Sequence, residues 1–136
     1  MVTLVDSSAF YAYLDAHDAN HRPAKEAFAE LVEARDDLVT HNYVVVESSA
    51  LIQRRLGAEA VRAFLEDVRS AIRVVWIDEP THRLATAAML GSVSRAVSLV
   101  DWTSFVVMRE LRIGRAFAFD ADFESQGMQV IPARQP

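Results

Sequence analysis

Cysteine is absent from the chain, which removes disulfides, Cys-ligated zinc and thiol catalysis together. Glycine and proline are scarce, with four of each in 136 residues, and nothing resembles a linker or a low-complexity tract. Neither glycine-rich phosphate-binding pattern, G-x-x-x-x-G-K-[ST] or G-x-G-x-x-G, occurs, so a nucleotide-cofactor reading has no support. No apolar run approaches the ~20 residues needed to span a bilayer. The N-terminus has no basic region ahead of VTLV, and Asp6 interrupts that apolar stretch. The expectation is a chain without a signal peptide, located in the cytoplasm. Lysine is almost missing: Lys25 stands alone among 14 basic residues, and the other 13 are arginine. Arginine's planar fork suits phosphate, although a GC-rich coding bias produces the same composition. The net charge of −5 argues against passive binding of nucleic acid by charge alone. It leaves room for an enzyme whose acids hold a metal.

Hydrophobic residues make up 51% of the chain and charged residues 24%, enough for one well-formed core. We read residues 1–136 as a single domain. VTLVD, DLVTH, IRVVWID, RAFAFD and MQVIP have the bulk and β-branching of strands. Between them, SAFYAYLDA, AKEAFAELVEA, AEAVRAFLEDVRS, EPTHRLATAAML and SLVDWTSFVVMREL show apolar positions at helical spacing. NYVVVESSALIQRRLG is ambiguous, because three valines favour a strand, but its length and a terminal Gly57 decide for helix. Alternating strands and helices imply an α/β fold: a three-layer α/β/α sandwich on a central, mostly parallel sheet. In such sheets, ligands sit outside the carboxyl ends of the strands.

Four times an apolar run delivers an acid: Asp6 after VTLV, Glu47 after VVV, Asp101 after SLV and Asp120 after AFAF. Each has a local explanation. Asp6 can cap the next helix, and Ser98-Leu99-Val100-Asp101 matches a capping box. Glu47 can edge an apolar helix face, while Asp120 and Asp122 can form an Asx-type turn. Jointly they suggest more. Carboxylates gathered together raise one another's pKa, and a divalent cation such as Mg²⁺, which takes hard oxygen ligands, resolves the conflict. Arg54, Arg55, Arg109, Arg112 and Arg115 are candidates for phosphate contacts or plain surface residues. Trp102, beside Asp101, can stack on a base or fill the core. His17 and His21 have a metal-binding spacing only if one helix carries both, and they straddle a loop-like Asp18-Ala19-Asn20. His41 and His82 have no evident partner.

The quartet Asp6, Glu47, Asp101 and Asp120, set in VDSSAF, VVVESSALIQRRLG, SLVDWTSFVVMREL, AFAFDADF and QGMQVIP in that order, resembles the PIN-domain ribonucleases. Within that family the chain is most similar to the VapC-type toxins of bacterial toxin–antitoxin pairs, over nearly its whole length. The resemblance implies Mg²⁺ or Mn²⁺ dependence and endonucleolytic cleavage of RNA, whether tRNA, rRNA or mRNA. It also implies a homodimer, and inhibition by a cognate antitoxin whose tail covers the active site. Carried over by position, the four acids hold the metal and Ser8 orients a ligand or phosphate. Asp122 remains a second candidate beside Asp120. Many relatives carry a hydroxyl residue two places before the last aspartate, where this chain has Ala118, so one polar contact is missing. Two other classes compete: a PIN-like module that binds RNA or an antitoxin without cutting, and an acyl-phosphate protein using Asp6 as nucleophile. Ser8 and the lone Lys25 both fit the acyl-phosphate pattern poorly.

Overall fold

Side-chain parity along the strands divides the core into two. In the computed structural model, which describes residues 1–134 except Val93 and Arg95, Leu4, Val39, Ala116 and Ala118 point into one apolar cluster. Their neighbours Val5, Leu38 and Phe117 point into the other. A strand buried on both faces needs this pattern, because successive side chains leave on opposite sides. The strands are β1 (Val2–Val5), β2 (Asp37–His41), β3 (Arg73–Val75), β4 (Arg115–Phe117) and β5 (Gln129–Ile131). All pairings are parallel, in the order β3-β2-β1-β4-β5.

Helices cover both faces. On one side lie α1 (Ser7–Leu14), α2 (His21–Glu33), α3 (Asn42–Leu56) and α4 (Ala58–Ala71). On the other lie α5 (Glu79–Leu90), α6 (Leu99–Glu110) and the single turn α7 (Asp122–Ser125). The expected α/β/α sandwich is present, and the ambiguous NYVVVESSALIQRRL segment is helical. Val44, Ser48 and Ile52 are fully buried, whereas Val46 and Ala50, which a strand would place on the same face, are exposed; a helix gives that pattern and a strand does not. The short α7 went unforeseen, because four residues carry too little periodicity to register. Among the described residues no helix is long and apolar enough to cross a membrane.

Chain direction sorts the charged residues. Every strand ends on the same rim, so helices that follow strands begin there and run away from it. α6 starts beside that rim, and Arg109, eight residues past Asp101, is carried about 12 Å along its axis. Arg112 then turns the chain in the left-handed region, φ 56°, and Arg115 opens β4 on the opposite rim. There the Arg115 guanidinium pairs with Asp36 at 2.9 Å, with 20% and 5% of the side chains exposed. Asp36 also accepts the Thr3 hydroxyl at 2.9 Å. Arg109, Arg112 and Arg115 therefore stand away from the acids, and Arg115 staples the far end of the sheet. Losing one partner of the buried Arg115–Asp36 pair would cost on the order of 3 kcal/mol, since the other charge would be stranded.

Candidate active site

The sheet reverses its winding between β1 and β4. From β1 the chain crosses to β2 over α1 and α2, whereas β3 connects to β4 over α5 and α6 on the opposite face. A crevice opens at such a switch point, outside the strand ends. Parity then aims the side chains. Asp6 continues the even-numbered series of Leu4, and Asp120 that of Ala116 and Ala118, so both face α6. The first turn of α6 presents Asp101. Carboxylate oxygens of Asp6, Asp101 and Asp120 lie within 4.8 Å of one another.

Each acid is held by its own local device. Asp6 is 1% exposed and N-caps α1, its Oδ2 accepting the Ser8 amide at 3.1 Å and the Ser8 hydroxyl at 2.6 Å. The same Ser8 oxygen accepts the Phe119 N–H at 2.9 Å. One hydroxyl thus ties the end of β1 to the residue just before Asp120. Asp101 completes a full capping box: its backbone N–H donates to Ser98 Oγ at 3.2 Å, and its Oδ2 accepts the Ser98 N–H at 3.1 Å. Asp120 Oδ1 accepts the Asp122 N–H at 3.1 Å, an Asx turn. The local readings of all three are correct and do not compete with a shared role. A cap uses one oxygen and leaves the other.

The electrostatic consequence is large. Burial, then the charge of Asp120, push the Asp6 carboxyl from 3.8 up to about 7, with Asp101 adding to the rise and Ser8 opposing it. Burial also raises Asp101, against the hydrogen bonds from Ser98. Asp120 is raised by burial and by the charge of Asp101. Asp6 Oδ1 is buried without any hydrogen-bond partner. A buried carboxylate oxygen with no donor, facing two more carboxylates, suits a hard cation in both charge and chemistry.

Glu47 does not belong to that close group among the described residues. It sits in the second turn of α3, half-exposed, and α3 packs against both α1 and α6, the helices that carry Asp6 and Asp101. Asp122 opens α7 two residues past Asp120, and its charge adds to the rise of Asp101 and Asp120. Trp102 is half-buried and meets Phe105 edge to face at 5.4 Å, a core position rather than an open stacking platform. Arg54 and Arg55 are exposed, and the Arg55 guanidinium lies 5.4 Å from the Tyr11 ring centre. His21 Nδ1 lies 2.9 Å from the Ala12 carbonyl, and His17 precedes its helix, so they form no pair on one helix. His41 and His82 do have partners, in Ser104 at 2.7 Å and Tyr43 at 2.7 Å. Parity with Val39 could have placed His41 on the α6 face; nothing local could have named Ser104.

The family model of the PIN domain matches residues 3–127. The chain belongs to the PIN-domain family. Among PIN proteins it is 35% identical over 124 residues to VapC20 of Mycobacterium tuberculosis, a 23S rRNA-specific endonuclease, covering 90% of this chain and 92% of that one. The crystal structure of VapC20, described as a sarcin-ricin loop cleaving toxin, superimposes with a TM-score of 0.82 at 32% identity, covering 94% and 96% of the two chains. A PIN-like fold also occurs in a Pyrobaculum aerophilum protein, with a TM-score of 0.63 at 19% identity over 96% of this chain and 90% of that one.

Ser8 offers a direct test of how this PIN site is held. Ser8→Ala strands the Phe119 N–H and releases one side of Asp6. The expected result is a stability loss of about 1–2 kcal/mol in urea and a Mn²⁺ affinity lower by roughly tenfold. Parental affinity in the variant would reduce Ser8 to a tie between the end of β1 and Phe119.

Proposed function

We propose that the protein is a divalent-cation-dependent endoribonuclease, the toxin of a toxin–antitoxin pair, hydrolysing RNA phosphodiester bonds. The observation that carries this reading is the meeting of Asp6, Asp101 and Asp120 around an oxygen of Asp6 that has no donor. The likeness to VapC20 favours ribosomal RNA as the substrate class.

Asp6, Asp101 and Asp120 would hold Mg²⁺ or Mn²⁺, with Glu47 completing the set from α3. When bound, the ion supplies Lewis-acid stabilisation of the phosphoryl oxygens and makes a water nucleophilic at neutral pH. The protein's share is positional. Ser8 fixes the Asp6 carboxylate in one orientation, and the Ser98 box fixes Asp101. Glu47 makes no hydrogen bond or ion pair among the described residues, which leaves its carboxylate available to orient the attacking water. Asp122 supports Asp120 through the turn they share. Arg54 and Arg55 are exposed in the last turn of α3, a helix that runs away from the rim, so they would serve only RNA that extends along α3 beyond the acids.

The test is incubation of the pure protein with ribosomal, transfer and messenger RNA in Mg²⁺ or Mn²⁺. Discrete fragments that vanish in EDTA and return with excess Mn²⁺ are expected. RNA left intact under every metal condition would favour the non-cutting module instead.

A homodimer and a protein antitoxin belong to the same proposal. Val46, Trp76, Leu84 and Leu90 are large apolar side chains left exposed. Their elements are tied together, because the Ile77 N–H donates to Asn42 at 2.7 Å and Tyr43 meets His82. Trp76→Glu is expected to turn the dimer into a monomer by light scattering; an unchanged mass would remove this face from the interface. Between α1, α2 and α4, Phe10, Tyr13, Phe28, Phe64 and Val68 line an apolar cleft that suits an antitoxin segment.

A further inference from the structure

Strand β2 brings none of the acids to the rim, yet its last two residues are polar and fully buried. Thr40 and His41 are each 0% exposed. Polar groups are buried this deeply only when they are satisfied or when they do something for their neighbours. Parity sends them to opposite faces, and each reaches an element that carries an acid. The Thr40 hydroxyl donates to the Val5 carbonyl at 2.9 Å, the peptide immediately before Asp6. His41 Nε2 lies 2.7 Å from Ser104 Oγ on α6, one turn below Asp101 and equally buried.

The direction of the second contact follows from counting protons. Ser104 has one hydroxyl hydrogen, and its oxygen lies 3.2 Å from the Val100 carbonyl, which can only accept. His41 Nδ1 is buried with no partner. The Nε2–H tautomer leaves a bare lone pair at Nδ1, whereas the alternative would bury an unpaired N–H, the rarer situation in proteins. Burial also holds the imidazole well below its usual range, at about 4, so it stays neutral. His41 Nε2–H therefore donates to Ser104, which donates to Val100. This relay ends in the first turn of α6, the turn that displays Asp101.

We propose that the end of β2 is a polar clamp for the acidic site, His41 positioning Asp101 through Ser104 and Thr40 positioning Asp6 through the Val5 carbonyl. Hydrogen bonds behind a ligand set its orientation, and their loss typically weakens a cation site tenfold or more. An apolar residue at position 41 would fill the space equally well but could not set the rotation of α6 about its axis. Neither residue touches the reacting atoms; both act through the groups that do.

The inference rests on the cation-dependent reading above, and two readouts separate its failure from that one. In the full chain, His41→Ala is expected to weaken Mn²⁺ binding, followed by electron paramagnetic resonance, by about tenfold while near-UV dichroism stays parental. His41→Gln places an amide N–H at the reach of Nε2 and should restore affinity to within roughly threefold. Ser104→Ala is a one-atom deletion that serves if His41→Ala does not fold, and its expected loss is of the same kind. Without metal, the Asp101 side-chain ¹³C resonance should move in His41→Ala and Ser104→Ala and return in His41→Gln. Folded variants with parental Mn²⁺ affinity and an unmoved Asp101 resonance would overturn the clamp. A parent that binds no Mn²⁺ while the Asp101 resonance shifts as expected would overturn the cation reading and keep the clamp.

Discussion

Asp6→Asn should reduce RNA cleavage by on the order of a hundredfold or more while leaving the fold intact. Asparagine caps a helix as well as aspartate does, so the Ser8 amide keeps its acceptor. What changes is the oxygen without a donor. In the variant an NH₂ group takes its place, facing Asp101 and Asp120, and donates where a cation would have been held. One negative charge is lost and the most buried ligand becomes a hydrogen-bond donor. Cleavage of ribosomal RNA in Mn²⁺, together with far-UV dichroism, is the measurement. Turnover within a few-fold of the parent would remove Asp6 from the chemistry.

The same substitution should make the metal-free protein more stable at pH 8. Asp6 is raised in the folded state to about 7, against 3.8 for an unperturbed carboxyl. The folded chain therefore holds this proton more tightly than the unfolded one. Stability from protonated Asp6 is complete below about pH 4 and is lost as pH climbs from there through about 7. At ~1.4 kcal/mol per pH unit the loss approaches an upper bound of about 4 kcal/mol. Asp6→Asn escapes it. Relative to the parent, the variant should gain on the order of 10 °C in melting temperature at pH 8, and much less at pH 4.5. Asp101 and Asp120 are raised too, so the difference between the two proteins, not either curve alone, isolates Asp6. Millimolar Mn²⁺ should reverse the order, because only the parent gains binding free energy from it. Scanning calorimetry at several pH values, with and without MnCl₂, checks every arm; a variant less stable than the metal-free parent at pH 8 would contradict the assigned strain.

Together these results would describe a site kept under electrostatic strain until a cation arrives. Three carboxylates are forced together by strand parity and by the capping of α6, and the fold tolerates their repulsion by keeping a proton on Asp6 near neutral pH. Such strain is expected where function, not stability, has set the residues.

Much of this was legible in the chain itself, for a definite reason. Elements are encoded by near neighbours: the length of NYVVVESSALIQRRL and the Gly57 that stops it make a helix, and alternation through Leu4, Val5 and Asp6 makes a two-faced strand. The capping box of Ser98 and Asp101 is written in four consecutive residues and is found as read. Parity even chose the face to which Asp6 and Asp120 turn. Distances between elements are another matter, because they depend on helix direction, helix length and what packs where. Tertiary structure alone left Glu47 outside the close group of three, and took Arg109, Arg112 and Arg115 to the far rim. It also paired His41 with Ser104, sixty-three positions away. Local patterns state which way a side chain leaves its own strand or helix; only the packed molecule decides what it meets there.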